Sequence, residues 1–212
     1  MWLYEMLNIT GCNDGPEWRK QMTIMTHPWV ATRSPVQKAA FVVFVALLGS
    51  LILAVSARMQ VPFWPVPMTM QTMAVLVLGM LLGARFGSAV VLLYVVEGML
   101  GLPVFAGTPE RGSGLAYLAG PTGGYLLGFV VAAYMAGWLA ERGFGNGWLR
   151  AMAVQALGTA VILACGVAWL GGLIGYEKAI AAGLLPFLPS SVVKVLLGGL
   201  LVVAFRRGLK RL

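Results

Sequence analysis

PSSVVKVLLGGLLVVAFRRGLKR, residues 189–211, sets one cation inside an apolar run and four more directly behind it. Read as a helix, Pro189 to Phe205 is just long enough to cross a bilayer core, which takes about 17–25 residues. Arg206, Arg207, Lys210 and Arg211 then stop the run where lipid headgroups begin. Lys194 stands twelve residues before Arg206, roughly 18 Å along the axis at about 1.5 Å per residue. That leaves it about 10 Å inside the outer edge of a ~30 Å hydrocarbon core. An ionisable group at such depth costs at least about 2.5 kcal/mol unless it is paired or hydrated. Its neighbours one turn back are Ser190 and Ser191, so no acid on its own helix offsets that cost. Two readings follow: a side chain snorkelling to the outer interface, or a cation held for an anionic ligand in a water-accessible pocket.

The rest of the chain repeats this pattern. Of 212 residues, 59% are hydrophobic and 10% charged. Soluble domains carry about 25% charged residues, so lipid must be the main solvent. Apolar spans run over 39–57, closed by Arg58; 69–84; 86–102, with Glu97 inside; 120–140; 151–174; and 189–205. Gly83, Arg85 and Gly87 separate the second from the third by a tight turn. The expected fold is therefore an all-α integral membrane protein with six transmembrane helices over 38–212. Residues 1–37 hold Glu5, Asp14, Glu17, Arg19 and Lys20 without a continuous apolar core. They read as a poorly structured extension rather than a secretory signal, with Met22 and Met25 as alternative starts.

Loop charge sets the orientation. With six spans both termini share a side, and that side receives eleven of the fifteen cations. Arg58, Arg111, Lys178 and Lys194 are the remainder. The positive-inside rule places both termini in the cytoplasm. The net charge of +8 thus reflects topology rather than nucleic acid. The outward loops are apolar: MQVPFWPVPM (59–68) has three prolines, and 102–119 holds Val104, Phe105, Leu115, Tyr117 and Leu118. Proline stiffens the first, and both are expected to fold back over the helix ends. Small residues recur every fourth position at Ala46, Ser50, Ala54; at Gly79, Gly83, Gly87; and at Gly120, Gly124, Gly128. Such stripes let helix backbones approach closely, inside the fold or against another membrane subunit.

Candidate binding groups gather toward the outer side. They are Lys194, Gln71, Glu97, Tyr94, Tyr117 and Tyr125, a set suited to a small, largely apolar anion. Catalysis has little support. His27 is the sole histidine, so no Ser–His pair forms within the spans, and the two cysteines exclude a His/Cys metal cluster. No GxxxxGK[ST] motif is present, so ATP-driven work falls to other subunits.

Three segments, PFWPVPMTMQT (62–72), YVVEGMLGLPVFAG (94–107) and GPTGGYLLGF (120–129), resemble the signature blocks of the BioY family. These are the biotin-specific substrate-binding (S) components of energy-coupling factor (ECF) transporters. The resemblance extends from about residue 38 to the C-terminus. It implies six helices, an outward vitamin pocket capped by the first and third loops, no catalytic activity and no cofactor. It further implies a transmembrane coupling subunit backed by two cytoplasmic ABC-type ATPases, with ATP used only by those partners. Solitary carriers without an ATPase module, and S components for other vitamins, are the neighbouring alternatives. By the same resemblance, the first helix docks the coupling subunit through Ala46, Ser50 and Ala54. The family's last helix commonly opens Pro-Gly-Asp with a nearby Lys, and the Asp and Lys contact biotin. Here Pro189, Ser190, Ser191 and Lys194 stand there, with Ser191 in place of the acid. On this reading Lys194 meets the ligand's carboxylate or ureido oxygen. Gln71, Ser191 and Glu97 serve the ureido edge, and Phe63, Trp64, Phe105, Gly107, Tyr94, Tyr117 and Tyr125 complete the enclosure.

Overall fold

Ser34 and Gln37 start the first helix by capping one another. The Ser34 hydroxyl accepts from the Gln37 amide at 3.4 Å, and the Ser34 amide donates to Gln37 Oε1 at 3.2 Å. Pro35 takes the first helical position, where its missing N–H costs nothing. The computed structural model describes residues 34–61, 65–106 and 114–209. Within them lie α1 (Pro35–Arg58), β1 (Gln60–Val61), β2 (Met68–Thr69), α2 (Gln71–Leu82), α3 (Ala84–Met99) and α4 (Leu115–Ala119). The remainder are α5 (Gly123–Leu139), continued by a π-helical turn (Ala140–Phe144), α6 (Trp148–Ile174), α7 (Tyr176–Gly183) and α8 (Phe187–Leu209). The two short strands pair antiparallel, Gln60 opposite Thr69 and Val61 opposite Met68.

Among the described residues, four helical stretches are long and apolar enough to cross a membrane: Pro35–Arg58, Gly123–Phe144, Trp148–Ile174 and Phe187–Gly208. The others anticipated as spans are shorter, α2 with 12 residues and α3 with 16. A single residue separates these two. Gly83 turns the chain with φ +88°, a value L side chains rarely adopt. The first free amide of α3, that of Ala84, donates to Glu141 Oε1 at 2.7 Å. A carboxylate at a helix N-terminus meets both the unpaired N–H and the positive end of the dipole.

Helix α5 is the hub, packed most extensively on α6 and then on α2 and α3. Glycine makes this possible. A Cβ on Gly79 would lie 2.5 Å from the Ala133 carbonyl oxygen, and one on Gly87 would lie 2.8 Å from Gly79 Cα. Gly137 fits against Gly83 and Ala84, while Gly128 meets the α6 backbone at Ile162. Two of the three small-residue stripes therefore pack inside the fold.

The third stripe also turns inward. Ser50 is buried, Ala46 and Ala54 are half-buried against the core, and the Ser50 hydroxyl donates to the Glu97 carboxylate on α3. These three positions, expected at a partner interface, lie where α1 approaches α3, with Gly49 against Val90. The exposed face of α1 is the opposite one, with Val43, Phe44, Leu47, Leu51 and Val55. Other differences from the sequence reading are local. Helix α1 begins at Pro35, so the expected extension over 1–37 overlaps its first turn and otherwise lies outside the described residues. Helices α4 and α7, five and eight residues long, fall in segments read as loop, too short to show a period. Helix α8 starts at Phe187, two residues early.

Two glycine substitutions separate packing from propensity. Gly79→Val drives a branched side chain into the Ala133 backbone and is expected to lose the folded, monodisperse protein in detergent size-exclusion runs. Gly172→Ala, in a helical position with nothing within 4 Å of the added Cβ, is expected to raise stability by about 0.5–1 kcal/mol, read as a higher thermal midpoint.

Candidate functional site

Five helices and two loop segments converge at the end of the molecule where α2, α5 and α8 begin. Between them lies a concave cavity of about 550 Å3, counted out to its opening. Val66, Pro67 and Thr69 line it from the segment that closes the β pair, and Gln71 and Thr72 from the first turn of α2. Phe105 and Ala106 come from the segment after α3, Tyr117 from α4, and Thr122, Tyr125, Leu126 and Phe129 from the start of α5. Ile162 and Leu163 of α6 and Phe187 and Ser191 of α8 complete it. The described parts of both outward loops thus fold back over the helix ends. Val66, Phe105, Ala106 and Tyr117 are buried rather than presented to water.

A relay of hydrogen bonds holds one wall. Thr69 Oγ1 donates to Gln71 Oε1 at 3.3 Å, Gln71 Nε2 donates to the Tyr94 hydroxyl at 2.7 Å, and that hydroxyl donates to the Val104 carbonyl at 3.0 Å. Arg58, at the end of α1, donates to the neighbouring Pro103 carbonyl at 2.6 Å. Two adjacent carbonyls are thereby fixed, and the next side chain, Phe105, is aimed into the cavity. Phe105 stacks on Tyr117 with centroids 4.9 Å apart and meets Tyr94 edge-on at 5.6 Å. On the opposite wall Tyr125 and Phe187 are near-parallel at 6.1 Å, with the Tyr125 hydroxyl donating to the Gly183 carbonyl at 2.8 Å.

The cavity wall is neutral: among the described residues that line it, none carries a formal charge. Lys194 lies one turn beyond Ser191 on the same face of α8 and is 7% exposed. Among the described residues it has no hydrogen-bond or ion-pair partner. Ser191 donates its own proton to the Phe187 carbonyl at 2.7 Å, leaving oxygen lone pairs for a donor in the cavity. The chemistry offered is aromatic enclosure, neutral hydrogen-bonding groups and one cation beneath.

Of the residues singled out from sequence, Gln71, Phe105, Tyr117, Tyr125 and Ser191 line this cavity. Tyr94 stands behind the wall as the link between Gln71 and Val104, and Lys194 lies below it. Glu97 does not face the cavity. Its carboxylate turns to α1, where it accepts from the Ser50 hydroxyl. Phe63, Trp64 and Gly107 lie outside the described residues. Sequence reading missed Thr69 in β2, Thr72 and Thr122 at helix starts, and Phe129, Ile162 and Leu163, ordinary core residues by type. Phe187 was findable, since it stands four residues before Ser191 and seven before Lys194 on one helical row.

Comparison with known proteins gives a consistent result. A family model described as "BioY family" matches residues 24–211. A Pyrococcus horikoshii protein named "Probable biotin transporter BioY" is 38% identical over 74% of this chain and 90% of its own length. "Biotin transporter BioY" from Thermotoga maritima is 36% identical over the same shares. The Rhizobium etli protein of that name is 34% identical over 81% of this chain and 92% of its own. Among solved structures, "the S-component for biotin from an ECF-type ABC transporter" superposes with a TM-score of 0.71. It is 23% identical, covering 83% of this chain and 95% of that one, and so shares the fold.

The relay behind the wall is testable by itself. Tyr94→Phe removes one hydroxyl and leaves both the Gln71 amide and the Val104 carbonyl short of a partner in a buried setting. A loss of about 1–3 kcal/mol in stability is expected. It would register as a lower thermal midpoint together with faster amide exchange across residues 102–106.

Proposed function

The chain belongs to the BioY family, and on that premise we propose that it captures biotin at the outer face of a membrane and serves its uptake as the S component of an ECF transporter. It is a multi-pass membrane protein whose named relatives are transporters, and on this reading it carries no catalytic activity of its own. Six helices cross, with α2 and α3 as short, tightly linked crossings. Both termini face the cytoplasm, and the membrane is the bacterial inner membrane. The cation asymmetry supports that orientation: Arg85, Arg142, Arg150, Arg206 and Arg207 belong to the end opposite the cavity. A transmembrane coupling subunit and two ATPases supply the energy.

The observation that carries the reading is the neutral, aromatic cavity with the Lys194 ammonium buried one turn below its wall. Biotin matches each part. Its bicycle and aliphatic chain suit Phe105, Tyr117, Tyr125 and Phe187. The ureido N–H groups suit the free lone pairs of Ser191 and the Gln71 carbonyl, and an anionic or carbonyl oxygen suits Lys194. Ser191 supplies the acceptor where the family more often has an acid.

Mass spectrometry of small molecules retained by the detergent-purified protein is expected to find biotin; a different vitamin there would reassign the substrate. Calorimetry on Lys194→Ala should show biotin binding weaker by about 2 kcal/mol or more, roughly 30-fold. Unchanged affinity would remove Lys194 from the site. Uptake in a host lacking coupling subunits would instead mark a solitary carrier.

A further inference from the structure

Gly98 of α3 and Gly166 of α6 are buried inside helices, and neither has the positive φ that marks a turn glycine such as Gly83. Glycine at such a position is less favourable than alanine, because it loses more backbone freedom on folding. The backbone does not ask for it, so the absent Cβ must matter. At Gly79, Gly87 and Gly137 a Cβ would meet the backbone of a neighbouring helix. Gly98 and Gly166 differ, for the space beside each is filled by an aromatic ring of the cavity wall. A Cβ on Gly98 would fall on the far edge of Phe105, at Cζ, Cε1 and Cε2. One on Gly166 would fall on Cε1, Cδ1 and Cζ of Tyr125. The Tyr125 hydroxyl is seated in the same manner, 2.5 Å from the place of a Cβ on Gly183.

Phe105 and Tyr125 line the cavity, whereas among the described residues none of α3 does. Phe105 therefore stands between α3 and the open space, its edge resting on Gly98, one turn after Tyr94. Its other directions are taken. Tyr117 lies parallel on one face and Tyr94 meets the ring edge-on. The two carbonyls before it are held by Arg58 and Tyr94. Carbon atoms in contact need about 3.5 Å, so a methyl at position 98 would drive the ring about 1 Å toward the cavity. Tyr125 reaches from α5 across α6 at Gly166, and its hydroxyl donates to the Gly183 carbonyl at 2.8 Å. A methyl at position 166 would lift that ring off α6, toward Phe187 and the same open space.

We propose that Gly98 and Gly166 are the positioning residues for the two aromatic walls: by letting Phe105 and Tyr125 rest directly on α3 and α6, they set the width of the cavity and so the size of ring system it admits. They touch the rings and stay out of the cavity lining themselves. A rigid fused bicycle needs the full width, whereas a single ring can turn within a narrower one. This inference rests on the biotin reading above.

The test compares binding of biotin with binding of dethiobiotin, its monocyclic analogue without the sulfur ring, to the full-length detergent-solubilised protein. Gly98→Ala is expected to weaken biotin binding about tenfold, and dethiobiotin binding by a smaller factor. Phe105→Leu weakens binding by thinning the wall, and it removes Cζ and both Cε atoms. Beside it, Gly98→Ala is expected to cost no further affinity. Gly166→Ala should likewise weaken biotin more than dethiobiotin, with an effect that vanishes beside Tyr125→Ala. Gly172→Ala, also on α6 but with open space around the added Cβ, should leave both affinities unchanged. Equal losses for the two ligands, or losses that persist beside the trimmed rings, would overturn the inference and leave the biotin reading intact. So would a Gly98→Ala protein that binds biotin as tightly as the parent. A Gly98→Ala protein that does not fold also overturns it, since a ring free to move into the cavity relieves the overlap. An unsubstituted protein that binds no biotin overturns both.

Discussion

Backbone-to-backbone contact between α5 and its neighbours is the constraint on which the architecture rests. In a lipid setting, helices gain little from hiding apolar side chains from apolar solvent, so close packing must supply the association. Gly79 against Ala133, Gly137 against Gly83 and Ala84, and Gly128 against Ile162 meet that requirement at three different helices. With α5 so fixed, its first turns, bulked out by Tyr125 and Phe129, cannot close on α2 or on the start of α8 at Phe187. The cavity is the space left where small residues give way to aromatic ones.

What closes that space is polar and depends on backbone carbonyls. The described segment after α3, through residue 106, has no helix or strand, and its carbonyls at positions 103 and 104 are satisfied by Arg58 and Tyr94. Each donor belongs to a helix, so the loop inherits the rigidity of α1 and α3. Buried carbonyls without such donors would carry a penalty comparable to a lost hydrogen bond each. Satisfaction and positioning are thus the same contact, and Phe105 takes its place in the wall as a by-product.

Much of this was readable in the residues before any coordinates. Apolar run lengths, the cations ending them and the Gly83 break located every long helix, because a lipid environment punishes exceptions to those patterns. The proline-rich and glycine-rich loops announced themselves by carrying Val, Phe and Tyr where water would not favour them. Helices α4 and α7 did not, since one or two turns hold too few residues to display a period. The direction of the Ala46, Ser50, Ala54 stripe was equally hidden. Four-residue spacing states that a face is small and says nothing of what covers it. Glu97 shows the same gap, for three positions separate it from Tyr94, and only the packing of α1 decides that one faces the wall and the other Ser50.

The cavity wall draws on seven separate pieces of chain, from Val66 to Ser191. A molecule seated there touches parts of the fold that otherwise meet only at their edges, and so acts as a removable tie between them. Folding and occupancy are then linked: each tenfold rise in free occupant above its dissociation constant adds about 1.4 kcal/mol to the stability of the whole bundle. Resistance to heat or detergent becomes, for such a chain, a readout of how much solute surrounds it.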